Sequence, residues 1–225
     1  MRKPRILIIG KAVMTFTSLT ERVPDAGETL VSEGDFFFSP GGKGANAALC
    51  AARLGADAVL LARIGGDAYG KELTGIFEKE SVDTRFLFAD SEKKTALAQI
   101  FREPDGNNRT TFFPGASVGL SVDNAEEAFT CYPDALYLSN SVDPEIVYYA
   151  VGKAHEQKIP VFFDLSPVCK TLDPSSVGVC EIMTASEDAA AFYTGVAPTS
   201  AENALRAAIK LSALIHSKYV VLRLR

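Results

Sequence analysis

Six short apolar runs recur along this chain, and each lacks the alternation of polar and apolar residues that is typical of a half-exposed strand. The runs are rich in Val, Ile, Leu and Phe, which is the composition of strands buried on both faces of a parallel sheet. They lie at residues 5–10, 58–64, 135–138, 160–164, 179–184 and 219–224. The chain is therefore predicted to fold around a mostly parallel sheet.

Segments with helical periodicity separate these runs, at residues 45–54, 70–80, 144–157 and 200–217. Gly55 follows the first segment as a C-terminal cap, and Asp143 precedes the third as an N-cap. This alternation of strands and helices predicts the α/β class, with a doubly wound sheet flanked by helices and right-handed crossovers.

Two segments, at about residues 13–38 and 95–113, interrupt the alternation. The second predicts a hairpin, because the turn-forming residues 104–108 lie at its centre. Both segments are antiparallel in character, and we expect them to form one small β-layer, a lid over the sheet. The lid carries five phenylalanines, at positions 36, 37, 38, 112 and 113. Their apolar face is expected either to cover a ligand or to join a second subunit.

Length, charge and cysteine pattern limit the classes of protein. The 225 residues suffice for one domain with a large core. A net charge of −5, without a basic cluster, argues against nucleic acid as a partner. No apolar run approaches the ~18 residues needed to cross a bilayer. The four cysteines show no metal-ligand spacing with His155 or His216, as in reduced cytosolic proteins. We therefore predict a cytoplasmic protein without membrane contact.

Residues 41–46, Gly-Gly-Lys-Gly-Ala-Asn, are the strongest candidate for a ligand-binding turn. Gly42 and Gly44 lack Cβ atoms, so a ligand hydroxyl can reach the backbone amides. Lys43 offers donors, and Asn46 offers both a donor and an acceptor. Polyol recognition needs this mixture, because each hydroxyl group both donates and accepts. The alternative is a tight strand-to-helix turn that binds no ligand.

The spacing of residues 41–46 with Ala48, Gly55 and Gly65 resembles the first signature of the PfkB (ribokinase-like) carbohydrate kinases. The resemblance covers the whole chain, which looks like the first two-thirds to three-quarters of that fold. It implies a ribokinase-like three-layer α/β/α domain over residues 1–225 with a discontinuous β-lid. It also implies ATP-dependent phosphorylation of a sugar or nucleoside hydroxymethyl group, with Mg²⁺ between the two ligands. A monovalent cation is a further candidate cofactor.

The resemblance also implies which residues contact the acceptor. The candidates are Gly41, Gly42, Lys43, Asn46, Thr15, Ala98 and Ser141. Thr15 lies where the family commonly has an aspartate, so a hydroxyl group replaces a stronger acceptor there. A glutamate that the family often has falls at Ser141 or at its neighbour Asn140. Arg63 or Arg102 would contact the phosphate of a phosphorylated sugar, although either could equally be a surface charge.

Nucleotide contacts are implied for Ser186, Glu187 and Asp164, and Mg²⁺ contacts for Glu187 and Asp188. The family's Asn-x-x-Glu motif aligns with residues 186–189, where the carboxylates are shifted. The alternative is that Glu187 and Asp188 are first-turn acids that interact favourably with a helix dipole. Asp164 follows a strand at the edge where α/β sheets bind ligands, or it begins a turn.

The family's Gly-Ala-Gly-Asp segment, which supplies its catalytic base, has no match through Arg225. The turn at residues 65–67 belongs to the first half of the fold, and Asp67 is expected to cap the next helix. We therefore expect an incomplete kinase whose base lies beyond Arg225 and which is inactive as this chain. The alternatives are a non-catalytic sugar- or nucleoside-binding pseudokinase and a fragment that forms a homodimer through the lid.

Overall fold

The computed structural model describes residues 2–224. Within them the strands are β1 (Arg5–Ile9), β2 (Val13–Leu19), β3 (Phe36–Gly41), β4 (Asp57–Gly65), β5 (Leu87–Asp90), β6 (Leu97–Arg102), β7 (Asn108–Phe113), β8 (Ala135–Ser139), β9 (Val161–Leu165), β10 (Cys180–Ser186) and β11 (Ser217–Arg223). The helices are α1 (Lys43–Arg53), α2 (Ala68–Lys79), α3 (Val122–Ala128), α4 (Pro144–Glu156), α5 (Glu187–Thr194) and α6 (Ala201–Ile215). None of these helices is long and apolar enough to cross a membrane.

A seven-stranded sheet in the order β11-β10-β9-β8-β1-β4-β5 forms the centre of the fold, and all of its strand pairs are parallel. In the interior strand β1, Leu7 lies opposite Val59 on one side and Leu136 on the other. The predicted α/β class and the six predicted strands are confirmed. Strand β5 was not predicted, because this four-residue edge strand ends in an aspartate and has no long apolar run.

Both faces of the interior strand β1 are buried. Leu7 and Ile9 join the core cluster that contains residues of α3, α4, α5 and α6. Ile8, on the opposite face, joins the cluster under α1 and α2. Because alternate residues of a strand point to opposite faces, a strand between two helical layers must be apolar throughout. This explains why the apolar runs lacked alternation.

Helices α1 and α2 pack on one face of the sheet. They cover only half of that face, over strands β1, β4 and β5. Over β8 to β11 the same face borders a groove of about 720 Å³, whose apolar lining includes Ile6, Tyr137 and Phe162. On the edge strand, Tyr219 and Val221 are 55% and 48% exposed. Among residues 2–224, no helix covers this half of the face.

The lid is a separate four-stranded sheet in the order β3-β2-β6-β7. Its outer pairs are antiparallel, as predicted, but β2 and β6 pair in parallel, with Thr15 opposite Ala98. Each predicted segment is therefore antiparallel within itself, and the parallel pairing joins the two segments. Strands β2 and β6 each follow a strand of the parallel main sheet, so both enter the lid in the same direction.

The five lid phenylalanines do not share one face, which corrects the prediction of a single apolar surface. The strand pairing places Phe37 and Phe112 on one side of the lid and Phe36, Phe38 and Phe113 on the other. Phe38 stacks on Phe16, with ring centroids 5.0 Å apart, and Phe36 remains 63% exposed. The period of two along a strand divides the aromatic residues between both faces.

Asp67 connects the main sheet to the lid. Its carboxylate accepts from the Gly70 amide at 2.9 Å, which caps α2, and from the Thr95 amide and hydroxyl at 2.9 and 2.6 Å, just before β6. Burial opposes its ionisation, but these hydrogen bonds outweigh burial and hold the pKa of Asp67 below its ordinary value. The predicted helix cap is confirmed, and the same carboxylate also anchors the lid.

Replacing Asp67 by alanine is expected to lower the free energy of unfolding by about 2 kcal/mol at neutral pH, because a cap and charge-assisted hydrogen bonds are lost. The folded pKa lies below the unfolded one, so the contribution is complete above about pH 4 and disappears as pH falls through the folded pKa. Urea unfolding as a function of pH measures this. Asp105→Ala, in the exposed lid turn, is the control. If the difference in unfolding free energy between Asp67→Ala and the wild type does not shrink as the pH is lowered, the role of the Asp67 carboxylate is contradicted.

Candidate functional site

The turn at residues 41–46 lies where the lid meets the main sheet. Strand β3 ends at Gly41, α1 begins at Lys43, and Gly42 between them has φ +89°. A Cβ atom on Gly42 would lie 2.4 Å from the carbonyl oxygen of Lys11. That same oxygen accepts from the amide of Ala45 at 3.2 Å. Both the positive φ and the close backbone approach require glycine here.

A second glycine contact brings α1 against the end of β1. A Cβ atom on Gly44 would lie 2.6 Å from the carbonyl carbon of Gly10, and one on Gly10 would lie 2.8 Å from the Cα of Gly44. The two backbones therefore pack directly on each other. This contact places the first turn of α1 at the carboxyl end of the sheet, where α/β folds bind ligands.

A cleft of about 430 Å³ opens between this turn and the lid. All seven residues predicted to contact the acceptor line it, namely Thr15, Gly41, Gly42, Lys43, Asn46, Ala98 and Ser141. The lid supplies Thr15 from β2 and Ala98 from β6, which lie opposite each other in the sheet. Ser141 follows β8, so three separate parts of the fold converge on the cleft. Their role in binding stays a prediction.

The ammonium group of Lys43 is held by a buried carboxylate. Its Nζ lies 2.7 Å from Asp164 Oδ2, and the Asp164 side chain is 6% exposed. Asp164 also accepts from Ser166 Oγ at 2.8 Å and Thr184 Oγ1 at 3.0 Å. Arg223 Nη2 lies 3.1 Å from Asp164 Oδ1. The network satisfies the buried charge of Asp164 and holds the Lys43 ammonium group against it.

Tyr137 lies at the edge of this network, with its hydroxyl 3.4 Å from Asp164 Oδ2. Burial is the main cause that raises the pKa of Tyr137, and the negative charge of Asp164 raises it further. The phenol therefore stays protonated and can donate. The sequence pattern did not indicate this network, because its members come from four different strands and from α1.

Asp164 was predicted to contact the nucleotide or to begin a turn; the structure shows its contact with Lys43, and the nucleotide contact stays a prediction. Ser186, the second predicted nucleotide contact, caps α5 by accepting from the Ala189 amide at 3.3 Å. Glu187 and Asp188 occupy the first turn of α5, as the helix-dipole alternative expected. Among residues 2–224, no group of three or more His, Cys, Asp or Glu side chains could hold a metal ion.

The two arginines considered for a phosphate lie elsewhere. Arg63 is 3.3 Å from Asp90 and donates to the Gly119 carbonyl at 3.0 Å. Arg102 ends β6 and is exposed. Neither lines the cleft. Lys11 lines the cleft but was not among the residues predicted from the sequence. Its position directly after β1, at the edge of the sheet where α/β folds bind ligands, could have indicated it.

Comparisons with known proteins agree with this geometry. A sequence model described as "pfkB family carbohydrate kinase" matches residues 3–224. Mouse (Mus musculus) ribokinase is 27% identical over 208 residues, which are 92% of this chain and 64% of the mouse protein. The chain thus spans slightly less than two thirds of the length of that relative.

Solved structures show the same fold. The ribokinase of Giardia lamblia has a TM-score of 0.85 at 20% identity, and the match covers 99% of this chain and 70% of that one. Arabidopsis thaliana ribokinase, complexed with ribose and ATP, has a TM-score of 0.82 at 23% identity, over 99% of this chain and 72% of that one. Since the family match extends over nearly every residue, this chain belongs to the pfkB family of carbohydrate kinases.

Proposed function

We propose that this chain forms the acceptor-binding part of a kinase that transfers the γ-phosphoryl group of ATP to a hydroxymethyl group of a sugar or nucleoside. The observation that carries the proposal is the convergence of Gly42, Lys43 and Asn46 with the hydroxyls of Thr15 and Ser141 on one cleft. Its family, and the ribose and ATP bound by the Arabidopsis ribokinase of similar fold, support it.

A polyol in this cleft would meet both hydrogen-bond donors and hydrogen-bond acceptors. Asn46 can do both, as can the hydroxyls of Thr15 and Ser141, whereas Lys43 only donates. The ion pair with Asp164 limits the motion of Lys43, so little side-chain entropy remains to be lost on binding. Ala98 on the lid would contact the C–H groups of the ligand.

We assign the nucleotide to the carboxyl edge of β10 and β11, with Ser186, Glu187 and Asp164 as its contacts. Mg²⁺ would neutralise the phosphate charge when bound. Glu187 or Asp188 would contribute to its coordination, and phosphate oxygens would supply the ligands that the described residues lack. The monovalent cation stays a prediction.

Phosphoryl transfer also needs a carboxylate that accepts the proton of the attacking hydroxyl. Of the described residues that line the cleft, none is Asp or Glu. Asp164 lies behind Lys43 and already contacts two cations. We therefore propose that residues 1–225 bind the acceptor without turning it over, and that the base is not among them.

Replacing Asn46 by alanine is expected to weaken polyol binding about 10-fold or more, because a donor and an acceptor in the cleft are lost together. Isothermal titration calorimetry with D-ribose and adenosine measures this. Asn107→Ala, in the lid turn far along the chain, is the matched control and should bind like the wild type. An unchanged affinity in Asn46→Ala would overturn the site.

A non-catalytic sugar or nucleoside binder is the second candidate, and the absence of carboxylates from the cleft lining favours it. Measurable ATP affinity supports the kinase part, whereas polyol binding without ATP binding supports the binder. ATP-dependent sugar phosphorylation by purified 1–225 would contradict the proposed lack of turnover. The homodimer through the lid and the cytoplasmic location both stay predictions, although the exposed Phe36 offers a surface for the former.

A further inference from the structure

Lys11 lines the acceptor cleft and has no role in the proposed function so far. It follows β1 and leads into the lid, and its backbone carbonyl is fixed by the Ala45 amide of α1. Its ammonium group lies 5.1 Å from the centroid of the Phe112 ring, which belongs to lid strand β7. The cation is therefore held between the main sheet and the lid, facing the space where an acceptor would bind.

The charge of Lys11 is not compensated within residues 2–224. No carboxylate of these residues lies within ion-pair distance of it, and its side chain makes no hydrogen bond to them. The side chain is only partly exposed, and burial lowers its pKa. Lys43, the other cation of the cleft, already has Asp164 as a partner. A partly desolvated cation without an anion is unfavourable, and a ligand anion would relieve this cost.

A second cavity extends the cleft beneath Lys11. It has a volume of about 310 Å³ and shares Lys11, Ser141 and Pro167 with the acceptor cleft. Ser117 and Thr171 also line it, although the Ser117 hydroxyl already donates to the Pro114 carbonyl at 2.6 Å. The combined space can therefore hold a group larger than a hydroxyl, with the Lys11 cation and the hydroxyls of Ser141 and Thr171 in its lining. These are the groups that bind a phosphate or a carboxylate.

Two further features concern the floor of this cavity. Asn140 is 2% exposed, and its Oδ1 is the one buried side-chain oxygen of the described residues without a hydrogen-bond partner. An acceptor of this kind suits a hydroxyl of a polyol. The N-terminus of α4 also borders the cavity and favours negative charge. The carboxylate of Asp143 lies there too, but it is exposed and caps α4 through the Glu145 amide at 3.0 Å.

Among the described residues, the joined cavities contain one lysine without an anionic partner. Their lining contains two lysines, Lys11 and Lys43, and one carboxylate, the exposed Asp143, and Lys43 is already paired with Asp164 outside this lining. A neutral polyol would leave Lys11 unpaired, whereas an acidic one would pair it. We propose that Lys11 determines the specificity of the cleft and that the preferred acceptor is an acidic polyol, one that carries a phosphate ester or a carboxylate beside its hydroxyl groups. This inference rests on the proposed function, because it names the substrate class of the same cleft.

Calorimetric titration of the 225-residue protein with D-ribose, D-ribose 5-phosphate and D-ribonate tests the proposal. The three compounds share a carbon skeleton and differ in whether they carry no acid, a phosphate or a carboxylate. At least one acid is expected to bind about 10-fold more tightly than D-ribose, and the stronger of the two identifies the group. In Lys11→Met the ratio of the affinity for the preferred acid to the affinity for D-ribose should fall to about one, and Lys11→Arg should retain most of the preference.

Lys71→Met, on the exposed side of α2, is the matched control and should keep the preference for the acid. Equal affinity of the wild type for all three compounds would overturn the inference but leave the proposed function in place. The same holds if Lys11→Met weakens all three equally, or if it weakens ATP binding alone. If no polyol of either class binds, both the inference and the proposed function fail.

Discussion

Gly44→Ala is expected to lower the free energy of unfolding by about 3 kcal/mol or more. The added Cβ would lie 2.6 Å from the carbonyl carbon of Gly10 and 2.8 Å from its oxygen. All of the nearest atoms are backbone, so no side chain can move aside to make room. The contact can be relieved only if α1 moves away from β1, which would also displace Lys43 and Asn46.

Urea unfolding and polyol binding should therefore both report the change. Gly75→Ala is the matched control, because Gly75 lies within α2 and a Cβ there would meet no atom within 4 Å. That variant should gain about 0.5–1 kcal/mol of stability, since alanine is the better helix former. If Gly44→Ala unfolds at the same urea concentration as the wild type, the close backbone contact does not exist.

Asp164→Ala is expected to lower the free energy of unfolding by about 2–4 kcal/mol, because it leaves two cations without their buried partner. The cost falls below that of a fully buried pair, since the Arg223 side chain is 51% exposed and can turn towards water. Lys43 would lose its 2.7 Å contact, so polyol binding should also weaken about 10-fold. Urea unfolding and calorimetric titration measure the two effects separately.

A double-mutant cycle with Lys43→Met identifies the cause. If the ion pair is responsible, Asp164→Ala and Lys43→Met together cost less stability than the sum of the two single changes. Asp164→Asn retains the shape and the hydrogen-bond acceptor, and should therefore lose less than alanine does. Additive effects of Asp164→Ala and Lys43→Met would show that the two side chains do not interact, and would contradict the network.

Several features of the site followed directly from local sequence. Residues 41–46 must form a turn between a strand and a helix, because a positive φ at Gly42 and the contact of Gly44 require residues without a Cβ atom. The helix caps at Asp67 and Asp143 were likewise predicted from residue type and position. The positive φ of Gly42 and the two caps depend on residues within a few positions, so the sequence pattern contains them, whereas the contact of Gly44 is with the distant Gly10.

Other features depended on contacts between distant residues. Lys43 and Asp164 are 121 positions apart, and Arg223 is a further 59 positions away. Each of these residues by itself is compatible with a surface charge. The position of Lys11 between two cavities became visible only when the lid and the carboxyl edge of the sheet were both in place.

The sequence by itself thus determined the α/β class, the order of six sheet strands and four helices along the chain, and the glycine turn at residues 41–46. The physical reason is that apolar periodicity and the absence of a Cβ atom act locally. The tertiary structure alone decided the parallel pairing of β2 with β6, the division of the lid phenylalanines between two faces, and the partner of Lys43. These depend on strand register and on the direction of chain crossovers, which bring distant residues together and which no local pattern specifies.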